Sequence, residues 1–193
     1  MMISKTILFF LMVTLPQNDS AQAQRRPEVS TDPPPMAMSL PVLKEIGKAK
    51  ASYNERTDKT IVQTSPLQVA GDFRNGISFR AGYASKGKQI TKPESITLTF
   101  YSSAQDRTYA DNRALLINID GKVVLSETAK YENGNTNGAV FLISVTQAIS
   151  YEMFVRLLAA NKVQMKLGPT QFELKESDIE VLKDLRKLID QAE

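Results

Sequence analysis

The stretch that decides the fold is ISFRAGYASKGKQITKPESITLTFY, residues 77–101. At both of its ends, apolar residues alternate with polar or small ones. These apolar residues are Ile77, Phe79, Ala81 and Tyr83 at the first end, and Ile96, Leu98 and Phe100 at the second. A period of two is typical of strands that bury one face, so the stretch predicts two strands with a connection between them.

The middle of this stretch, GYASKGKQ, nearly spells a phosphate-binding loop. Such a loop needs a helix after it, because the amides of the helix N-terminus hold the phosphates. Here Gln89 replaces the hydroxyl residue that would bind magnesium, and Pro93 and a second strand follow. The S-x-x-K spelling from Ser85 to Lys88 lacks the S-D-N and K-T-G companions of penicillin-recognising enzymes. We therefore expect a connection between two strands and no nucleotide site.

The same alternation continues through the rest of the chain. Further strands are predicted at residues 60–64, 67–70, 96–101, 115–119 and 163–167, and residues 140–145, apolar on both faces, at a central position in a sheet. Asp120-Gly121 predicts a tight hairpin, because glycine tolerates a positive φ. Gly168-Pro169-Thr170 predicts a second hairpin, and ENGNTNG, residues 132–138, a longer connection.

ENGNTNG also copies the spacing of a calcium loop. Asn133, Asn135 and Asn137 stand where such a loop has its first ligands, and Ser144 stands at the twelfth position, where glutamate belongs. Calcium affinity depends on ligand charge, and these side chains carry none. We expect a structural turn and no metal site.

Two helices are predicted near the C-terminus. Ser150 can cap a helix over residues 151–160. The second helix is predicted to begin at the capping box formed by Ser177 and Glu180. Its apolar residues recur at helical spacing and form a stripe that we expect in the core: Ile179, Val181, Leu182, Leu185, Leu188 and Ile189.

These elements predict an α+β domain, mainly antiparallel β, over residues 45–193. The first architecture we expect is a β-sandwich whose two helices close one end. The alternative is one curved sheet with both helices on a single face.

The C-terminal stretch SYEMFVRLLAANKVQMKLGPTQFELKESDIEVLKDL, residues 150–185, resembles the tail of uncharacterised exported bacterial proteins. In these proteins a short helix, a hairpin of the form V-x-M-x-LG…FEL and a closing helix follow a run of strands. The resemblance implies a β-rich envelope protein of bacterial origin. It implies no catalytic residues.

The N-terminus predicts export. A basic start is followed by ILFFLMVTL, residues 7–15, and by the A-x-A site Ala21-Gln22-Ala23, which together predict a signal peptide over residues 1–23. Nine residues rise about 14 Å as a helix, against a hydrocarbon core of roughly 30 Å. An uncleaved anchor is the alternative. Residues 24–44 contain five prolines and read as a linker, either a spacer or a terminus without a role. We expect a periplasmic or secreted protein without a transmembrane segment after cleavage.

Composition excludes several chemistries. The chain has no histidine and no cysteine. It therefore has no Ser-His-Asp triad, no thiol nucleophile and no thiolate metal site. Its net charge is +3, with lysines and arginines scattered along the chain, so we expect no nucleic-acid partner. We expect no cofactor and no catalytic residue.

The best sequence candidate for a functional segment is the polar loop at residues 103–113. Its candidate binding residues are Asp106, Arg107, Tyr109, Asp111 and Arg113. Our leading hypothesis is a non-enzymatic binding or structural domain that meets an envelope protein or a cell-wall partner through this loop or a sheet edge. The alternatives are a carboxylate-based hydrolase acting on glycans and a periplasmic carrier of small molecules or lipids.

Export gives the first testable prediction. When the full chain is produced in a bacterium with a secretion system, we expect it in the periplasm or medium with Gln24 as its first residue, because cleavage follows Ala23. Cell fractionation and N-terminal sequencing measure both properties. A chain that keeps Met1 and stays in the cytoplasm would contradict the prediction.

Overall fold

A computed structural model describes residues 41–72, 75–104, 107–137 and 140–191. The predicted signal peptide and the predicted linker up to residue 40 lie outside the described residues. In chain order the elements are β1 (Val42–Ile46), β2 (Ala49–Asn54), β3 (Lys59–Thr64), β4 (Leu67–Gly71), β5 (Gly76–Lys86), β6 (Ser95–Ala104), α1 (Thr108–Asp111), β7 (Ala114–Ile119), β8 (Lys122–Thr128), β9 (Lys130–Asn137), β10 (Val140–Ser150), α2 (Tyr151–Leu158), β11 (Val163–Leu167), β12 (Thr170–Glu173) and α3 (Glu176–Asp190).

The strands form two antiparallel sheets. The large sheet has eight strands in the order β1-β2-β3-β5-β6-β10-β9, with β4 paired to β5 beside β3. The small sheet has four strands in the order β12-β11-β7-β8. The predicted strands and the two predicted hairpins, β7–β8 and β11–β12, are confirmed. Asp120 and Gly121 have φ values of 49° and 82°, as a tight hairpin requires.

The buried side chains of both sheets and of α2 and α3 form one continuous apolar core. Phe79 of β5 and Phe100 of β6 pair directly across the two strands, and their ring centroids lie 5.7 Å apart. The predicted α+β class is therefore confirmed, with two sheets as in the first architecture. The position of α3 differs from that architecture, because α3 packs along β1, β2, β3 and β5 instead of closing an end.

The first strand starts earlier than the predicted domain. β1 begins at Val42, so residues 42–44, which we assigned to the linker, belong to a strand. Pro41 also joins the sheet, because its carbonyl accepts a hydrogen bond of 3.1 Å from the Tyr53 amide. Proline has no amide to donate, but on an edge strand its carbonyl can still pair.

The prediction that ENGNTNG is a connection is wrong for residues 132–137, the part of it that the structure describes. Residues 130–137 form the edge strand β9, which pairs antiparallel with β10. At Gly134 a Cβ would collide with the Tyr131 hydroxyl and with Ile143. Glycine therefore lets the Tyr131 ring pack over the strand, and backbone pairing with β10 overrides the low strand propensity of asparagine and glycine.

The N-cap of helix α3 lies two residues before the predicted cap. Its N-cap is Lys175, and Asp178 Oδ2 accepts a hydrogen bond of 2.9 Å from the Lys175 amide. Lys175 thus replaces Ser177 as the N-cap, and Asp178 takes the acceptor role predicted for Glu180, because its carboxylate suits the positive end of the helix dipole. The cap of α2 is confirmed, because Ser150 Oγ accepts from the Met153 amide at 3.1 Å.

The GYASKGKQ stretch is the end of β5 and the loop that follows, as predicted. Backbone groups of this loop form hydrogen bonds with other parts of the protein. The Gly87 amide donates to the Asp58 carbonyl at 2.9 Å, and Thr60 Oγ1 donates to the Gly87 carbonyl at 2.6 Å. No helix stands between Lys86 and the start of β6 at Ser95. The amide of Gly87 is therefore already committed and cannot hold a phosphate.

Helix α3 holds the β1–β2 hairpin through one carboxylate. Asp184 Oδ2 accepts a hydrogen bond of 3.1 Å from the Lys48 amide, next to Gly47, whose φ is +55°. A Cβ on Gly47 would collide with the Asp184 carboxylate. Gly47 thus meets two requirements, a left-handed backbone and the close approach of α3.

We predict that Gly47→Ala lowers the free energy of unfolding by about 2–3 kcal/mol, and Gly121→Ala by about 1 kcal/mol. Both glycines have positive φ, but a Cβ on Gly121 would meet nothing within 4 Å. Urea denaturation measures the difference. Equal losses in the two variants would show that the contact between Asp184 and the hairpin contributes nothing.

Candidate functional site

The segment predicted as a functional loop is largely part of the scaffold. Ser103 and Ala104 complete β6, and Tyr109 lies on the short helix α1 and is buried. The Tyr109 hydroxyl and Thr170 Oγ1 lie 2.7 Å apart and share a hydrogen bond. This bond ties α1 to the start of β12, so Tyr109 has a structural contact that its sequence neighbours did not indicate.

The other four candidates do not gather around Tyr109. Asp106 lies outside the described residues. Arg107 and Asp111 are exposed. Arg113 places its guanidinium 6.0 Å from the centre of the Tyr131 ring on β9. The contacts of Tyr109 and Arg113 thus have different partners, and nothing in them assembles the candidates into one site.

A better candidate lies on the face of the large sheet that is turned away from the core. Because side chains alternate along a strand, the residues between the buried ones share this outer face. In the middle of the sheet they are Ser78 and Arg80 of β5, Thr97, Thr99, Tyr101 and Ser103 of β6, and Leu142, Ser144 and Thr146 of β10. The alternation in the sequence predicts these strands through their inward residues, and the outward residues form no motif of their own.

An open groove of about 280 Å³ occupies one half of this face. Hydroxyl and amide groups predominate among its lining side chains, with one carboxylate. The lining residues are Gln68, Asp72, Gly76, Ser78, Tyr101, Ser102, Ser103, Asn133, Leu142, Ile143 and Ser144.

Tyr101 lies on the outer face of β6 between two small neighbours, because β6 is paired with β5 on one side and with β10 on the other. Its cross-strand partners are Ser78 on β5 and Ser144 on β10. Arg80 places its guanidinium 4.7 Å from the centre of the Tyr101 ring, and its Nη1 donates to Gln63 Oε1 at 2.9 Å. The tyrosine ring is therefore held by a stacked cation whose own position is fixed by a hydrogen bond.

The end of the groove is shaped by Gly76. Its amide donates to Ser103 Oγ at 3.2 Å. A Cβ at Gly76 would collide with the carbonyl oxygens of Ala70 and Asp72 and with the Gln68 side chain. Asp72 Oδ1 in turn accepts from the Asn75 amide at 3.0 Å. The groove is thus supported by contacts within the β4–β5 hairpin.

A second hollow of about 200 Å³ adjoins the groove on the same face. Arg80, Thr97 and Thr99 contribute to it, together with Ile61, Gln63, Gly82, Tyr83 and Ala84. The paired side chains of Arg80 and Tyr101 mark the boundary, since Tyr101 lines the groove and Arg80 lines the second hollow.

Two pKa shifts occur near these hollows. A hydrogen bond from Thr146 Oγ1 and, next, one from Lys130 lower the pKa of the Glu132 carboxyl, so this exposed group stays charged beside the outer face. Burial raises the pKa of Tyr83 to about 12, with a smaller contribution from Tyr151. The Tyr83 hydroxyl is buried and has no hydrogen-bond partner among the described residues.

Two further features bear on the chemistry that the described residues can support. Across residues 41–72, 75–104, 107–137 and 140–191, no three acidic side chains come together as metal ligands would. Within the same residues no helix has both the length and the apolar character needed to cross a membrane.

We predict that Tyr83→Phe leaves the free energy of unfolding at pH 7 unchanged or slightly higher, because the hydroxyl that is lost has no partner in the described structure. The folded pKa of about 12 exceeds the ordinary value of 10.0. Between pH 10 and 12 the unfolded chain releases the Tyr83 proton more readily than the folded chain, so the free energy of unfolding of the wild type is unaffected by this group below pH 10 and falls as the pH rises towards 12. In the phenylalanine variant, stability should fall less steeply over that interval.

Denaturant titrations of both proteins at several pH values between 7 and 12 test this prediction. A clear loss of stability at pH 7 in Tyr83→Phe would mean that the hydroxyl has a partner after all.

Comparison with known proteins adds no relative. The chain matches no protein-family model, no curated protein and no solved structure. The function therefore has to be inferred from the sequence and from the geometry of the outer face.

Proposed function

We propose that the chain is a non-enzymatic binding domain of the bacterial envelope, and that it holds its ligand in the groove on the outer face of the large sheet. The observation that carries the proposal is the groove itself, an open hollow of about 280 Å³ that Tyr101 lines together with side chains that carry hydroxyl and amide groups. A concave surface with a few placed polar groups and an aromatic ring is the usual form of a binding site.

The location in the envelope is supported by the sequence alone. The basic start, the apolar run at residues 7–15 and the A-x-A site favour export. The resemblance of residues 150–185 to exported bacterial proteins favours the same location.

The two alternative functions receive less support from the outer face. A glycan hydrolase needs two carboxyl groups on either side of the scissile bond. Among the described residues that line the groove, Asp72 supplies a carboxylate, and one of its oxygens already accepts from the Asn75 amide. A lipid carrier needs an enclosed apolar cavity, whereas this groove is open and lies on the side of the sheet opposite the core.

We predict that the exported chain sediments with insoluble envelope material, and that Leu142→Arg lowers the bound fraction at least about tenfold, because a long cation in the groove displaces the ligand. Val123→Arg is the matched control. Val123 is also an exposed apolar residue on a strand, but it belongs to β8 of the small sheet.

Sedimentation followed by immunoblotting measures the bound fraction, and thermal denaturation verifies that both variants fold. Equal binding by the wild type and Leu142→Arg would remove the groove from the proposal. An absence of binding by the wild type would remove the proposed function itself.

A further inference from the structure

We propose that the ligand is a linear, uncharged oligosaccharide that lies along β6 and crosses both hollows of the outer face. This inference rests on the proposed function, since it assigns a chemical class to the ligand of the same groove. Three features of the described residues support it. They are the chemistry of the lining, the length of the track that the two hollows form in succession along β6, and the hydrogen bonding of the backbone beneath this track.

The lining matches the chemistry of a sugar. Serine hydroxyls and the amides of Gln68 and Asn133 can both donate and accept hydrogen bonds, as sugar hydroxyl and acetamido groups require. Ser103 Oγ accepts from the Gly76 amide, so its proton remains available for a ligand oxygen. The Tyr101 ring supplies an apolar surface for the C–H face of a sugar ring.

The track is longer than a single sugar. In the sheet Ser78 is paired with Tyr101, and Arg80 is paired with Thr99, so the groove and the second hollow follow each other along β6. From Ser103 to Thr97 the strand rises by about 20 Å, at roughly 3.4 Å per residue. A ligand that spans both hollows must therefore be a chain of several units.

The backbone under the track favours a glycan over a peptide. Strands β5, β6 and β10 are each paired on both sides, so their amides and carbonyls are already committed. Extended peptides are usually held by the free backbone groups of an edge strand, which this face does not offer. A nucleic acid is disfavoured by the Asp72 carboxylate in the groove, because phosphates require a positive surface.

The test is calorimetric titration of the exported chain with N-acetylglucosamine oligomers of two and four units. We expect the four-unit oligomer to bind more tightly, because only it can reach both hollows. Tyr101→Ala should weaken binding of both oligomers about tenfold, and Tyr101→Phe should bind like the wild type because it keeps the ring. Tyr131→Ala is the matched control, since Tyr131 also carries an arginine over its ring but does not line the groove.

Thr97→Arg tests the second hollow separately. It should reduce the affinity for four units to that for two units and leave binding of two units unchanged. Equal affinity of the wild type for both oligomers would contradict the proposal that the ligand spans both hollows. Failure of the folded wild type to bind either oligomer would overturn the glycan inference.

These outcomes are distinct from failure of the proposed function. If the chain still sediments with envelope material in a Leu142-dependent manner, and protease treatment of that material abolishes binding, the groove is a binding site for a protein and the inference is wrong. If glycan-degrading enzymes abolish binding and protease does not, the inference is supported.

Discussion

The pairing of β5 with β6 is the constraint on which the rest of the structure depends. It places Phe79 opposite Phe100 in the core and, in the adjacent pair, Ser78 opposite Tyr101 on the outer face. A shift of the register by one residue would exchange the two faces and bury the polar residues. The same register therefore builds the hydrophobic core and positions the groove.

Two helices cover different strands on the core-facing side of the large sheet. Helix α3 packs on β1, β2, β3 and β5, while α2 contacts β6 and β10. Asp184 joins α3 to the β1–β2 hairpin, and Asp178 caps the start of α3, so one carboxylate anchors the helix on the sheet and the other sets where the helix begins. Apolar packing covers this side of the sheet. A polar ligand can therefore approach β5, β6 and β10 only from the outer face.

The sequence predicted much of this fold because its signals are local. Alternation located the strands, Asp120-Gly121 located a hairpin, and the apolar stripe located α3. The prediction was wrong where a contact between residues distant in the sequence determines the local structure. Residues 130–137 form a strand because they pair with β10. Helix α3 is capped at Lys175 instead of Ser177, because the Lys175 amide donates to Asp178. The packing of α3 on β1 to β5 likewise could not be read from any single segment.

The candidate site was missed for a related reason. The loop at residues 103–113 drew attention because it is polar and contains Tyr109, yet that tyrosine is buried and bonded to Thr170. The groove instead combines residues from five strands and the β4–β5 turn, and each is unremarkable in its own segment. One signal was present, since Tyr101 is the one large aromatic among the outward Ser and Thr residues of its strand. Only the register shows that Ser78 and Ser144 stand beside it.

The most direct test of this account is nuclear magnetic resonance of the exported, isotope-labelled chain during addition of the four-unit N-acetylglucosamine oligomer. The account predicts that the amide signals that move belong to the middle of β5, β6 and β10, with Ser78, Tyr101 and Ser144 at the centre. Signals that move only in α1 and its flanking residues, or only along an edge strand, would contradict it.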